Sequence, residues 1–210
     1  MDSTASRPDP GPGQLTALHL AESNDDLLAL GFGPEPVLGQ TRLIGGALSL
    51  GASLAGIDEL DGLALTPSTA ETATASPHAN GPRANGVVSI DHVVVMTPNP
   101  DRTQAAFEAH GIEARRVRRI ETSKGPRRQT FFWLGEVICE VGGPDDGDGD
   151  GPAAWWGLAL TVADIDATAS FYGDDASAVK DAVQPGRRVC TLRSSRSTTP
   201  VLFISPHIKP

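Results

Sequence analysis

A chain of 210 residues can bury a core in one or two domains, and a formal net charge of −9 argues against general nucleic-acid binding and against an anionic membrane surface. The longest apolar run, residues 43–56, is Gly-rich and too short to span a bilayer, and the opening MDSTASRPDP has neither the basic nor the apolar region of a signal peptide. The expectation is a cytoplasmic protein, with Cys139 and Cys190 as isolated, reduced core thiols.

Residues 1–13 hold Pro, Gly, Asp and Ser with little to bury, and predict a disordered start. Residues 14–66 read as β-α-β-β: LTALHLA is strand-like, NDDLLALGF a short helix stopped by Gly31, and TRLIGGALSL and GLALTP are strand-like. Residues 67–86, PSTAETATASPHANGPRANG, lack large apolar side chains and predict a flexible linker.

Residues 87–143 are the clearest segment. IDHVVVMT predicts a strand, Asn99 caps a helix with Pro100 in its first turn, and Gly111 ends it. Three strand-like runs follow, EARRVRRIE, RRQTFFWL and EVICEV, the last two joined through Gly135. Residues 144–154 form an acidic Gly/Asp loop. Its DGDGDG begins like a calcium loop, but Gly157 stands where the closing Glu is needed and no flanking helix is predicted. Residues 155–206 repeat the β-α-β-β-β order. GLALTV is the strand, Asp164 the helix cap, Gly173 the stop, and AVKDAV, RRVCTLR and PVLFIS the later strands. Two copies of one unit imply an internal duplication, with residues 14–66 as a shorter third version or an unrelated extension.

A paired βαβββ unit resembles the vicinal oxygen chelate superfamily, which includes glyoxalase I, the bleomycin-resistance proteins and the extradiol dioxygenases. The residues that carry the resemblance are IDHVVVMTPNPDRT, LGEVICEVGG and GLALTVADIDAT. It implies an α+β fold in which tandem βαβββ modules pair into an open barrel-like sheet around a central cup. In metal-dependent members the first and fourth strands of each unit supply an inward His and Glu. Here His92 and Glu140 occupy those places in the middle unit, whereas their counterparts in the last unit, by spacing, are Gly157 and Ile204.

Half of a four-residue metal site predicts weak binding, since Zn²⁺, Ni²⁺ or Fe²⁺ normally takes three or four protein ligands. His207, just past the last strand, is the distant candidate for a third. His92 and Glu140 could instead pair with one another, or hold a polar ligand group. Period-two alternation adds Met96, Gln129 and Trp133 as candidate ligand-binding residues. The expectation is therefore a glyoxalase-like protein that binds a small organic molecule with no cofactor. A divalent-metal-dependent lyase, isomerase or dioxygenase, and a non-catalytic interaction module, are the alternatives. The partner is a small molecule, neither nucleic acid nor membrane, and a homodimer is compatible with this reading.

One stretch stays open. Residues 114–128, ARRVRRIETSKGPRR, hold six Arg and one Lys against one Glu. They read as a charged edge strand that discourages aggregation, or as a patch for an anionic ligand.

Overall fold

The computed structural model describes residues 13–33, 36–67, 83–193 and 195–207. Most of the expected linker and of the expected disordered start therefore lies outside the described residues. The N-terminal segment forms β1 (Leu15–His19), α1 (Asn24–Ala29), β2 (Val37–Leu38), β3 (Thr41–Ile44) and β4 (Gly51–Leu54). The middle segment forms β5 (Val87–Met96), α2 (Pro100–Ala109), β6 (Arg116–Thr122), β7 (Gly125–Leu134) and β8 (Val137–Pro144). The last forms β9 (Ala154–Val162), α3 (Ile165–Tyr172), β10 (Lys180–Asp181), β11 (Arg188–Thr191) and β12 (Val201–Ile204).

The two βαβββ units build one eight-stranded sheet in the order β10-β11-β12-β9-β5-β8-β7-β6. In each unit the first strand runs parallel to the last, β5 with β8 and β9 with β12. The units join where β5 meets β9 antiparallel, edge to edge. The fold is α+β, with paired modules forming an open barrel-like sheet around a central cup.

Local chemistry sets the helices. Asn99 Oδ1 accepts from the Arg102 N–H at 3.0 Å, and Pro100 fills the first helical position of α2. Asp164 Oδ1 accepts from the N–H groups of Asp166 and Ala167 at 2.9 and 3.1 Å to start α3. Gly111 and Gly173 follow the two helices with φ of +76° and +54°, a region that favours glycine.

Strand alternation then divides the sheet into two faces. Val93, Val95, Phe132, Cys139 and Val141 are buried on the helix side, where Phe107 of α2 stacks on Phe132 with ring centroids 4.4 Å apart. The second unit repeats the device, Tyr172 of α3 stacking on Phe203 at 5.0 Å. Both cysteines are free and buried, and burial pushes their thiols up.

The N-terminal segment departs from the reading of its sequence. TRLIGGALSL is not one strand: β3 stops before Gly45, where a Cβ would lie 2.5 Å from the Glu22 carbonyl, and Gly46 turns at φ +86°. GLALTP contributes only an isolated bridge, Ala52 to Leu65. The sheet runs β2-β3-β1-β4, with β1 parallel to β3 and antiparallel to β4. Thus β4 takes the place beside β1 that β9 takes beside β5.

This segment packs on the helix side. The Leu30 carbonyl accepts from Asn85 Nδ2 at 3.0 Å and from the Tyr172 hydroxyl of α3 at 2.8 Å. Arg102 of α2 ion-pairs with Asp61 at 2.5 Å, and Trp155 of β9 donates its indole N–H to the Ala64 carbonyl at 3.1 Å. Glu22 ties it to the second unit. Its carboxylate accepts from the N–H groups of Thr198 and Thr199 at 2.8 and 3.0 Å, and from the hydroxyls of Ser197, Thr198 and Thr199. Burial alone would raise this carboxyl, but those bonds outweigh it and hold it at about 2.

A depressed carboxyl stabilises the fold fully above its unfolded value, 4.5, and loses that contribution as pH falls towards 2. The shift corresponds to about 3 kcal/mol. Glu22→Gln is therefore expected to unfold more easily at pH 7 and to show a shallower loss of stability between pH 4.5 and 2, measured by urea denaturation across that range. Parallel pH profiles for the two proteins would refute the staple.

Candidate functional site

On the face away from the helices, β5 presents His92, Val94 and Met96, all half-buried. The neighbouring strand β8 aligns Ile138 with His92, Glu140 with Val94 and Gly142 with Met96. Beyond it β7 aligns Trp133 with Ile138, Phe131 with Glu140 and Gln129 with Gly142. All five candidates of the sequence, His92, Glu140, Gln129, Trp133 and Met96, thus share one face of adjacent strands. Trp133 is the most open of them, at 47 % exposure.

His92 and Glu140 do not bond to one another. Glu140 Oε1 accepts from Gln129 Nε2 at 2.6 Å. His92 Nδ1 stands 2.8 Å from Asp91 Oδ2, with the His92 side chain 21 % exposed. Adjacent residues of a regular strand point to opposite faces. Here the register between β5 and β9 slips between Ile90 and His92, a bulge at Asp91 that brings its carboxylate round to the histidine.

The same carboxylate reaches across to the second unit. Asp91 Oδ1 accepts from Arg187 Nη2 at 2.6 Å, and Arg187, with a side chain only 2 % exposed, also donates to the Ser205 carbonyl and the Gln184 side chain. Its Nη1 lies 3.2 Å from Nε2 of His207. Burial alone would raise the Asp91 carboxyl; the hydrogen bonds from His92 and Arg187, and the guanidinium charge, outweigh it and hold the group at about 2. An ionised Asp91 can only accept, so His92 Nδ1 carries the proton between them and Nε2 is the ring nitrogen that this contact leaves open. Asp91 and Arg187 escaped the sequence reading because alternation alone puts Asp91 on the far face. No local signal in the sequence marks either residue, since they stand 96 residues apart and meet only in the fold.

The second unit offers nothing comparable. Gly157 is the counterpart of His92, and no larger residue fits, because a Cβ there would lie 2.6 Å from the Pro200 carbonyl. Glu140 lies opposite Val94, and Ala159, which holds the place of Val94, lies opposite Leu202. The counterpart of Glu140 is thus Leu202, two residues before the Ile204 given by sequence spacing, since spacing cannot see the register of β12. Both are apolar.

Of the other histidines, His19 bonds to Ser53 at 3.0 Å and His110 ends α2. His207 faces the Arg187 guanidinium, a cation that opposes a metal ion beside it. Among the described residues no three His, Cys, Asp or Glu side chains come together in a way that could hold a metal ion.

The Asp91–Arg187 pair crosses the join between the units, so each partner's loss should be costly and the loss of both mild. Asp91→Asn is expected to destabilise by about 3–5 kcal/mol by stranding a buried guanidinium, whereas Asp91→Asn with Arg187→Met should recover most of it. Guanidinium denaturation of both variants measures this; a double variant no more stable than Asp91→Asn alone would refute the stranded guanidinium as the source of the loss.

No protein-family model matches the chain, and no curated protein matches its sequence. Solved structures do match. A triple mutant of 4-hydroxymandelate synthase from Streptomyces coelicolor superposes with a TM-score of 0.60 at 13% identity, covering 95% of this chain and 94% of that one. Methylmalonyl-CoA epimerase from Mycobacterium tuberculosis gives 0.45 at 14% identity over 59% of this chain and 91% of that one. The Streptomyces coelicolor epimerase in complex with 2-nitronate-propionyl-CoA gives 0.45 at 16% identity, over 59% and 99%. Identities this low speak to the fold alone. The two βαβββ units, each pairing first strand with last and joined antiparallel through their first strands, give this chain the fold of the vicinal oxygen chelate superfamily.

Proposed function

We propose that this protein is a glyoxalase-like binder of a small organic molecule, held on the cup face of its first unit, with no tightly bound metal. The observation that carries the reading is how the two polar candidates are engaged. Asp91 takes up His92 Nδ1 and Gln129 takes up Glu140 Oε1, which leaves the histidine Nε2 and Glu140 Oε2 for a ligand. Val94, Met96, Ile138 and Phe131 surround them with apolar surface, the usual composition of a small-molecule site. Across β9 the wall is Gly157 and Ala159, so the cup is polar on one side and apolar on the other. The net charge of −9 supports a small-molecule partner over nucleic acid or membrane.

A divalent-metal-dependent lyase, isomerase or dioxygenase is the second reading, supported by His92 and Glu140 standing on one face of adjacent strands. Those two would be the ligands, and the ion would supply Lewis-acid chemistry. The donor set is short of the usual three or four, and the shape of the backbone at Gly157 bars a histidine from the matching position.

Untagged protein is expected to carry well under one Zn, Ni or Fe per chain by elemental analysis. Added Zn²⁺, Ni²⁺ or Fe²⁺ should raise its melting temperature little, since stabilisation scales as RT ln(1 + [L]/Kd). A sub-micromolar metal affinity that disappears in His92→Ala or Glu140→Gln would overturn the first reading in favour of the second.

A further inference from the structure

We propose that the ligand of this cup is an anion, a flat molecule bearing a carboxylate or phosphate group, and that Arg116, Arg118 and Arg127 receive that group. The inference rests on the small-molecule reading above and names its substrate class.

The arginines of residues 114–128 sort by face. Strand β6 aligns Arg116 with Phe131, Arg118 with Gln129 and Arg119 with Arg128. Phe131 and Gln129 belong to the cup face, whereas Arg128 alternates with Thr130 and the helix-stacked Phe132. On the helix side two arginines are answered, Arg119 by Asp145 at 2.9 Å and Arg128 by Asp101 at 2.7 Å, while the exposed Arg115, just before β6, has no ion pair among the described residues. On the cup side Arg116, Arg118 and Arg127 form no ion pair and no side-chain hydrogen bond among the described residues. Strand geometry sets Arg116 and Arg118 about 7 Å apart, and Arg127 is the diagonal neighbour of Arg118.

Protection of a sheet edge does not account for this. It needs charge on β6, the outermost strand, but has no reason to set Arg127 on the inner strand β7, diagonal to Arg118. Nor does it explain what lies beside them. Gln129 Oε1 is buried with no hydrogen-bond partner, and Phe131 and Trp133 alternate with it along the same face of β7. Three guanidinium groups suit the forked oxygens of a carboxylate or phosphate, the aromatic rings suit a flat body, and the Gln129 oxygen awaits a donor on it. The cluster is local, set in a chain whose net charge is −9.

Isothermal titration of the full chain with phenyl phosphate, benzoate and benzyl alcohol tests this. Phenyl phosphate, benzoate or both are expected to bind, more weakly as salt is raised, and benzyl alcohol at least tenfold more weakly than the better anion. The stronger of the two anions identifies phosphate or carboxylate. Arg116→Gln with Arg118→Gln should cost the preferred anion at least tenfold while the melting temperature stays unchanged, and Arg119→Gln should leave affinity as it is. Benzyl alcohol binding as tightly as the anions, or anion affinity unaltered in the double variant, would overturn the anionic ligand and leave the cup reading standing. No heat from any of the three would count against both.

Discussion

The antiparallel pairing of β5 with β9 is the constraint on which the rest of the molecule depends. It turns two four-stranded units into one sheet, and it is imperfect at the place that matters. The slip between Ile90 and His92 costs a ladder position and gains a geometry that regular strand cannot supply, two neighbouring side chains meeting on one face. Asp91 is thereby shared between His92 of its own unit and Arg187 of the other. A buried acid and a buried base each cost several kcal/mol alone, and together they are tolerated only because the bonds are short and the remaining guanidinium protons are satisfied by Ser205 and Gln184. The placement of His92 and the joining of the two units therefore share one carboxylate.

Duplication has produced two units with one fold and different surfaces. Their cores use the same device, a helix ring stacked on a strand ring, Phe107 on Phe132 and Tyr172 on Phe203. Their cup faces have parted. The approach of the Pro200 carbonyl to Gly157 leaves no space for a side chain, so the asymmetry at that position is built into the backbone. A single substitution at Gly157 cannot restore a second histidine without moving β12.

Much of this was legible in the sequence. Period-two alternation placed His92, Met96, Glu140, Gln129 and Trp133 on one face, because alternation is fixed by the pleat and needs no knowledge of neighbours. Asn99 and Asp164 announced their helices through capping chemistry that is local by nature. What was hidden depended on tertiary contacts. The bulge at Asp91 carries no Gly or Pro signal, the register of β12 moved the partner of Glu140 from Ile204 to Leu202, and Arg187 lies 96 residues from Asp91. In the N-terminal segment the first strand and the helix were legible, but two later strands, β2 and β4, were not, and β4 pairs on the opposite side of β1 from β3.

That N-terminal pairing bears on where ligands can go. Asp61, Ala64 and Leu30 all bond to groups on or beside α2, α3 and the helix-side Trp155, so the segment covers the back of the sheet. Glu22 then anchors it to the turn before β12, through donors that hold its carboxylate charged. The apolar residues of β5 and β9 that face the helices would otherwise be left partly open between α2 and α3. With the back closed by the chain's own first segment, the exposed Trp133 and the cup-side arginines on the other face are not needed for packing. An aromatic ring at 47 % exposure beside unpaired guanidinium groups contributes little to stability where it stands, so its placement is better explained by what the face meets from solution.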